Sequence, residues 1–145
     1  MTKRFVDIDE SLRHNPAVTK TRVHPTKAEL AILRTLWREG PLSVRDVQRI
    51  LDRERSTGYT TVLKTMQIMA DKGLVERDDT VRPQIYRPRY SQDRTQRQLL
   101  ADLIQRVYGG SVRTLVLHAI GTRKPTPDEL DAIKKLLERF DGDRT

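Results

Sequence analysis

The chain is 145 residues long, 36% hydrophobic and 33% charged, with a formal charge of +8 from 28 Lys and Arg against 20 Asp and Glu. That length holds one ordinary domain, or a small domain with an accessory piece, and leaves no room for a large enzyme fold with a deep cleft. The absence of cysteine excludes disulfides, thiol nucleophiles and thiolate metal sites, while the basic excess favours a polyanionic partner. No apolar run approaches the roughly 18 residues of a membrane-spanning helix, and the opening MTKRFVDIDESLRHNP lacks the apolar centre of a signal peptide. The expectation is a cytoplasmic protein without membrane insertion.

In chain order, residues 1–25 read as an arm: the apolar positions Phe5, Val6, Ile8 and Leu12 are too scattered for a firm helix, and HNPAVTKTRVHP is broken twice by proline. At Thr26 the pattern tightens. Thr26 with Glu29 three residues on forms a capping box, Leu30, Leu33, Leu36 and Trp37 recur at helical spacing, and Gly40-Pro41 stops the element, predicting a helix over about 27–39. Ser43 with Asp46 resembles a second box, followed by Val44, Val47, Ile50 and Leu51 on a helix ending near 53–55. A third helix runs from residue 58 or 59 to Lys72 and closes at Gly73, with Thr57 expected as its cap. The run LVER, the turn DDTVRP and QIYRPRY then predict a hairpin, with Ile85, Tyr86 and Tyr90 suited to a strand and Pro83 and Pro88 placing it at an edge. Three short helices cannot enclose a core alone, and a hairpin closing their open side gives a winged helix-turn-helix over 26–91.

From Gln92 the texture changes to three helical segments. The first carries Leu99, Leu103 and Val107, the second Leu115, Val116 and Ile120, and the third, opened by Thr126 and Glu129, carries Leu137 and Phe140. This is more apolar face than about fifty residues can bury in a thin layer, so residues 92–141 are expected to be a helical homodimerisation domain, with 142–145 a tail. The fold class expected is mainly α with a small β-hairpin.

On the third helix, Tyr59, Val62, Met66, Met69 and Gly73 fall on one side, the expected core, and Thr60, Lys64, Gln67 and Asp71 on the other. A polar helix face is ordinarily just solvated. Behind a helix and a tight turn, and beside a basic hairpin, the stripe reads instead as a DNA-recognition surface. Gln67 can pair bidentately with adenine, Lys64 can reach guanine acceptors or phosphate, and Thr60 and Thr61 lie where first-turn hydroxyls and amides grip phosphate. Leu63 and Ile68 flank the stripe and fall outside the core by this geometry, one of them open to a thymine methyl or to the second helix. In the hairpin, Arg82 is the residue placed for a minor groove or a phosphate, while Arg87 and Arg89 are open to pairing with Asp78, Asp79 or nothing.

Catalysis has little to rest on. His14, His24 and His118 are too far apart for a metal set, no nucleophile and base are arranged as a triad, and YGGS lacks the lysine and preceding strand of a phosphate loop. The chain is expected to be no enzyme and to need no cofactor or metal. Apart from DNA binding, the same scaffold is open to use as a protein-interaction module.

TKAELAILRTLWREGPLSVRDVQRIL, GYTTVLKTMQIMADKGLVERD, YRPRYS, RVYGGSVRTLVLHAI and PTPDELDAIKKLLERF together resemble the penicillinase repressor family, the BlaI, MecI and CopY type of winged-helix regulators, over about residues 25–140. The resemblance implies a homodimeric repressor on an inverted-repeat operator, with Thr60, Thr61, Lys64 and Gln67 facing double-stranded DNA and Arg82 in the wing. In one branch of the family a regulatory metalloprotease signal leads to cleavage of an Asn-Phe bond in the first dimerisation helix; the matching place here is Asp102-Leu103. The copper-responsive branch uses a cysteine cluster that this chain lacks.

Overall fold

The computed structural model of the chain describes residues 24–143. Residues 1–23 of the expected arm and 144–145 of the expected tail lie outside the described residues. The elements are α1 (Lys27–Glu39), β1 (Leu42–Ser43), α2 (Val44–Glu54), α3 (Tyr59–Lys72), β2 (Val75–Asp78), β3 (Ile85–Pro88), α4 (Gln92–Arg106), α5 (Val112–Thr122) and α6 (Pro127–Asp143). The fold is a winged helix-turn-helix followed by helices, the class the sequence predicts. Two units are separated between Leu99 and Leu100, inside α4.

In the amino-terminal unit the expected capping box is present, with the Thr26 amide donating to Glu29 Oε1 at 2.8 Å and the Glu29 amide to Thr26 Oγ1 at 3.2 Å. Ser43 Oγ likewise accepts the Asp46 amide at 3.2 Å to start α2. The third helix begins differently from expectation. Its cap is Gly58, without a side-chain cap bond, because the Thr57 hydroxyl donates backwards to the Arg55 carbonyl at 2.8 Å. At the other end Gly73, at φ 81°, takes the left-handed conformation that closes α3, and the Leu74 amide donates to the Met69 carbonyl at 2.9 Å, a conformation that a Cβ would strain.

The core gathers Ile32, Leu33 and Leu36 of α1, Val44 and Val47 of α2, Val62, Met66 and Met69 of α3, and Val75 and Tyr86 from the sheet. Each fully buried side chain of this size contributes about 1.5–3 kcal/mol. Trp37 lies at the margin of this core, and its indole N–H donates to the Tyr90 carbonyl at 3.0 Å, tying the strand exit to α1.

The sheet has the order β1-β3-β2, with Val75 opposite Pro88, Glu76 opposite Arg87 and Leu42 opposite Tyr86. The edge position expected for the Pro88 strand is therefore corrected: β3 is the middle strand. It tolerates its proline because β1, only two residues long, pairs on that side with Ile85 and Tyr86 alone and asks nothing of Pro88. The two-residue β1 carried no sequence pattern of its own.

In the carboxy-terminal unit Ser111 accepts the Thr114 amide at 3.1 Å to cap α5. Thr126 and Glu129 form the reciprocal box that opens α6, at 2.9 and 3.1 Å. Gly109 and Gly110 turn the chain between α4 and α5 with positive φ. No described residue from Leu100 onward is buried, and Val107 is 67% exposed, Leu137 58% and Phe140 60%.

A charged clasp joins the start of α1 to the end of α3. Lys72 Nζ, in the last turn of α3, lies 3.0 and 2.9 Å from the two carboxylate oxygens of Glu29, a residue only 2% exposed. Burial pushes the Glu29 carboxyl up, but the Thr26 amide, the Lys72 ammonium and the Thr26 hydroxyl together hold it below its ordinary value of 4.5. A carboxyl depressed in the folded state stabilises the fold above its unfolded value and loses that contribution as pH falls through the folded one. Glu29→Gln is expected to lower stability in denaturant at neutral pH by about 1–3 kcal/mol, and the gap should close as the pH drops below 4.5; a gap constant down to strongly acidic pH would contradict this account of the clasp.

Candidate nucleic-acid interface

The helix α3 gives its Val62, Met66 and Met69 edge to the core, so the opposite edge is left to solvent. Thr60, Thr61, Lys64 and Gln67 are all exposed there. Among the described residues none of these four side chains makes a hydrogen bond or ion pair, so their donors and acceptors stay available. The two flanking apolar residues separate: Leu63, expected outside the core, instead packs against it, whereas Ile68 is 41% exposed. The first turn of α3 has no acidic residue and no side-chain cap, which leaves its amide donors and the positive end of the helix dipole uncompensated.

The turn leading into α3 is held by α2. Gln48 Nε2 donates to the Thr57 carbonyl at 2.9 Å and the Thr57 amide donates to Asp52 Oδ1 at 3.0 Å. Arg45, in the first turn of α2, stands over the Tyr59 ring at 4.5 Å from its centroid, a cation–π contact between the second helix and the start of the third. Sequence reasoning missed Arg45, Gln48 and Asp52, and it placed Tyr59 in the core, whereas Tyr59 is 38% exposed beneath Arg45. One signal was legible: Arg45 is a cation in a helix first turn, where the dipole disfavours it, so its position calls for a compensating contact.

In the hairpin most of the basic charge is already compensated. Arg87 and Arg89, for which the sequence left Asp78, Asp79 or no partner open, both reach Glu76, at 3.3 and 3.6 Å. The antiparallel register sets Glu76 directly opposite Arg87, and a strand's two-residue period puts Arg89 on the same face one diagonal away. Arg77 pairs with Asp79 at 2.8 Å, and the neighbouring Tyr86 hydroxyl, with Asp79, holds its proton more firmly than usual. Arg82 differs. Its Nη1 donates to the carbonyls of Asp79 and Val81 at 2.8 and 3.0 Å, and it has no acidic partner among the described residues. The tip is braced beneath it, with the Thr80 amide donating to Asp78 Oδ1 at 2.9 Å and Gln84 Nε2 to Asp79 Oδ1 at 2.8 Å. Arg82 is thus fixed in place by neutral acceptors while keeping its charge.

Of the apolar residues expected at a dimer face, Leu103, Val107, Val116, Ile120, Leu137 and Phe140 are exposed, and Leu99 and Leu115 are half-buried. Asp102 and Leu103 lie within α4, where Asp102 pairs with Arg106 at 3.1 Å. His118 meets Tyr108, with the hydroxyl 3.3 Å from Nδ1. Among the described residues no three His, Asp or Glu side chains are grouped as metal ligands, and no helix is long and apolar enough to cross a membrane.

An outward-facing third helix, a stapled turn before it and a braced hairpin beside it define a winged helix-turn-helix of the nucleic-acid-binding kind. The model of the penicillinase repressor family matches residues 25–139. The chain is 31% identical over 116 residues to the transcriptional regulator BlaI of Mycobacterium tuberculosis, in strains CDC 1551 / Oshkosh and H37Rv alike, covering 79% of this chain and 83% of the relative. The chain belongs to the penicillinase repressor family.

Asp52→Ala removes the acceptor of the Thr57 amide in the turn before α3. Exchange of that amide with solvent is expected to speed up by roughly two- to ten-fold, with exchange of the α1 core amides unchanged; equal acceleration throughout the unit would mean that Asp52 supports the whole fold rather than the turn.

Proposed function

We propose that the chain is a homodimeric transcriptional repressor that occupies an inverted-repeat operator with its paired α3 helices, each steadied by a wing. The observation that carries the reading is the exposed, unbonded row of Thr60, Thr61, Lys64 and Gln67 on a helix whose other edge is core. Arg82, charged and fixed beside the row's own domain, adds a phosphate or minor-groove contact. Membership of the penicillinase repressor family and the likeness to a relative named as a transcriptional regulator support the same role.

The division of labour follows from chemistry. Thr60 and Thr61, in the uncapped first turn, suit phosphate oxygens and set position. Lys64 and Gln67, farther along the same face, suit the guanine and adenine edges that distinguish base pairs in the major groove. Repression then needs no reaction: bound protein blocks the promoter.

Dimerisation is supported by the carboxy-terminal unit, which shows Leu103, Val107, Val116, Ile120, Leu137 and Phe140 to solvent and buries none of its described residues. So much exposed apolar surface on one small unit marks a face that a partner covers, and an isologous pairing of two copies matches the symmetry of a palindromic site. For release, the reading keeps the Asp102-Leu103 bond and a regulatory metalloprotease. Because that bond lies inside α4, cleavage there requires local opening of the helix.

Mobility shifts at two salt concentrations test the interface. Lys64→Ala and Gln67→Ala are expected to weaken operator binding by about 1–3 kcal/mol and binding to random duplex by less. Arg82→Ala should weaken both and reduce the salt slope by about 1. Equal losses on operator and random DNA for the α3 variants would remove the base-reading assignment. For the dimer, Leu137→Asp is expected to give a monomer whose amino-terminal unit still melts cooperatively but binds operator poorly; an unchanged dimer in ultracentrifugation would displace the interface from α6.

A further inference from the structure

We propose that Ile68 is a specificity-determining residue that receives the C5-methyl group of a thymine in the major groove. The inference rests on α3 being the base-reading helix, and it concerns a residue that the hydrogen-bonding row does not include.

Among the described residues of the amino-terminal unit, the large apolar side chains that stand exposed are Tyr59, Ile68 and Val81. All three belong to α3 or to the wing tip, so the most exposed large apolar side chains of this unit lie on the elements read as facing DNA. Tyr59 carries Arg45 over its ring. Ile68 has no such cover: it is 41% exposed and stands apart from the side chains packed on the core, in contrast to Leu63 five residues earlier.

Its direction follows from the helix. At about 100° per residue, Ile68 projects between Lys64 and Thr61 on the open face, not at its margin. Isoleucine in a helix is held almost wholly in one χ1 rotamer, so the side chain presents a fixed apolar wall. The free chain gains nothing by it, since isoleucine forms helix less readily than the straight-chain polar residues that suit such a position. The major groove offers one apolar group, the thymine methyl, which neither cytosine nor a purine presents. Lys64 and Ile68 are four residues apart, about 6 Å along the helix axis, so the thymine should lie about two base pairs from the base that Lys64 reads, given about 3.4 Å per step.

The test replaces thymine by deoxyuridine, which deletes the methyl and leaves every hydrogen-bonding group in place. A duplex selected from random sequence with the full-length chain supplies the operator, and each thymine of one half-site is then substituted singly. Wild-type affinity is expected to fall about four-fold, the effect of one buried methyl, at one thymine. Ile68→Ala should bind the unmodified operator about four-fold or more weakly, show no further loss at that thymine, and keep the cooperative melting of the amino-terminal unit, because the side chain is 41% exposed and alanine is the better helix former. Selective binding that is indifferent to the methyl at every position, or an Ile68→Ala variant with undiminished sensitivity to it, would overturn the assignment while leaving α3 as the reading helix. Selection that returns no preferred sequence would overturn base reading by α3 and Ile68 with it.

Discussion

A helix of fourteen residues is marginal by itself in water, and α3 exists because Val62, Met66 and Met69 are buried against α1 and the sheet. That packing decides what the rest of the helix can do. With one edge committed to the core, the polar row has no route except outward, and its direction is as fixed as the core is dense. Methionine, however, adapts to the space it is given and sets helix rotation poorly. The Glu29 carboxylate, buried at the start of α1 and reaching Lys72 at the end of α3, supplies the directional contact that the methionines lack. The same carboxylate completes the α1 capping box, so one side chain starts the first helix and anchors the end of the third.

Electrostatics in the hairpin work by subtraction. Four arginines in and beside the wing suggest a strongly basic surface, yet Glu76 engages two and Asp79 a third. A wing with four uncompensated cations would bind any duplex strongly and blunt the difference between operator and random sequence, because phosphate contacts carry no sequence information. Holding Arg82 on two backbone carbonyls keeps one charge in a defined place at small entropic cost. On the proposed reading the non-specific term is thereby restrained, and selectivity is left to α3.

Much of this was legible before any coordinates. The capping boxes at Thr26 and Thr126, the core edge of α3 and its outward polar row all follow from the 3.6-residue period and from side chains that satisfy helix ends, which are local effects. What escaped the sequence was non-local or left undecided by local rules. Thr57 has the chemistry of a cap, but its hydroxyl turned to the Arg55 carbonyl, a choice between two nearby acceptors that propensity does not resolve. Pro83 and Pro88 signalled an edge strand, and the pairing of β3 with a two-residue β1 put it in the middle, since so short a partner leaves no periodic trace. The partners of Arg87 and Arg89 depended on strand register, which places Glu76 opposite Arg87 and diagonal to Arg89. Arg45 over Tyr59 joins residues fourteen positions apart through the helix-turn-helix angle.

The two units differ in how far a single chain can complete them. The amino-terminal unit encloses ten apolar side chains in one cluster, enough to fold about its own centre. From Leu100 onward the rest of α4, α5 and α6 form without burying a single described side chain, although their capping is as well formed as in the first unit. Well-made helix ends with an empty interior are what a sequence produces when local signals are intended for a packing that one copy cannot provide. Local stability of such helices is low, so on the proposed reading association with a second copy would supply the missing burial, and loss of any one helix turn would weaken pairing and operator occupancy together. A bond inside α4 is then an effective place for a release signal to act: cutting Asp102-Leu103 would divide the segment that carries Leu99 and Leu103 to the shared face, and the DNA contacts on α3 would be lost without being touched.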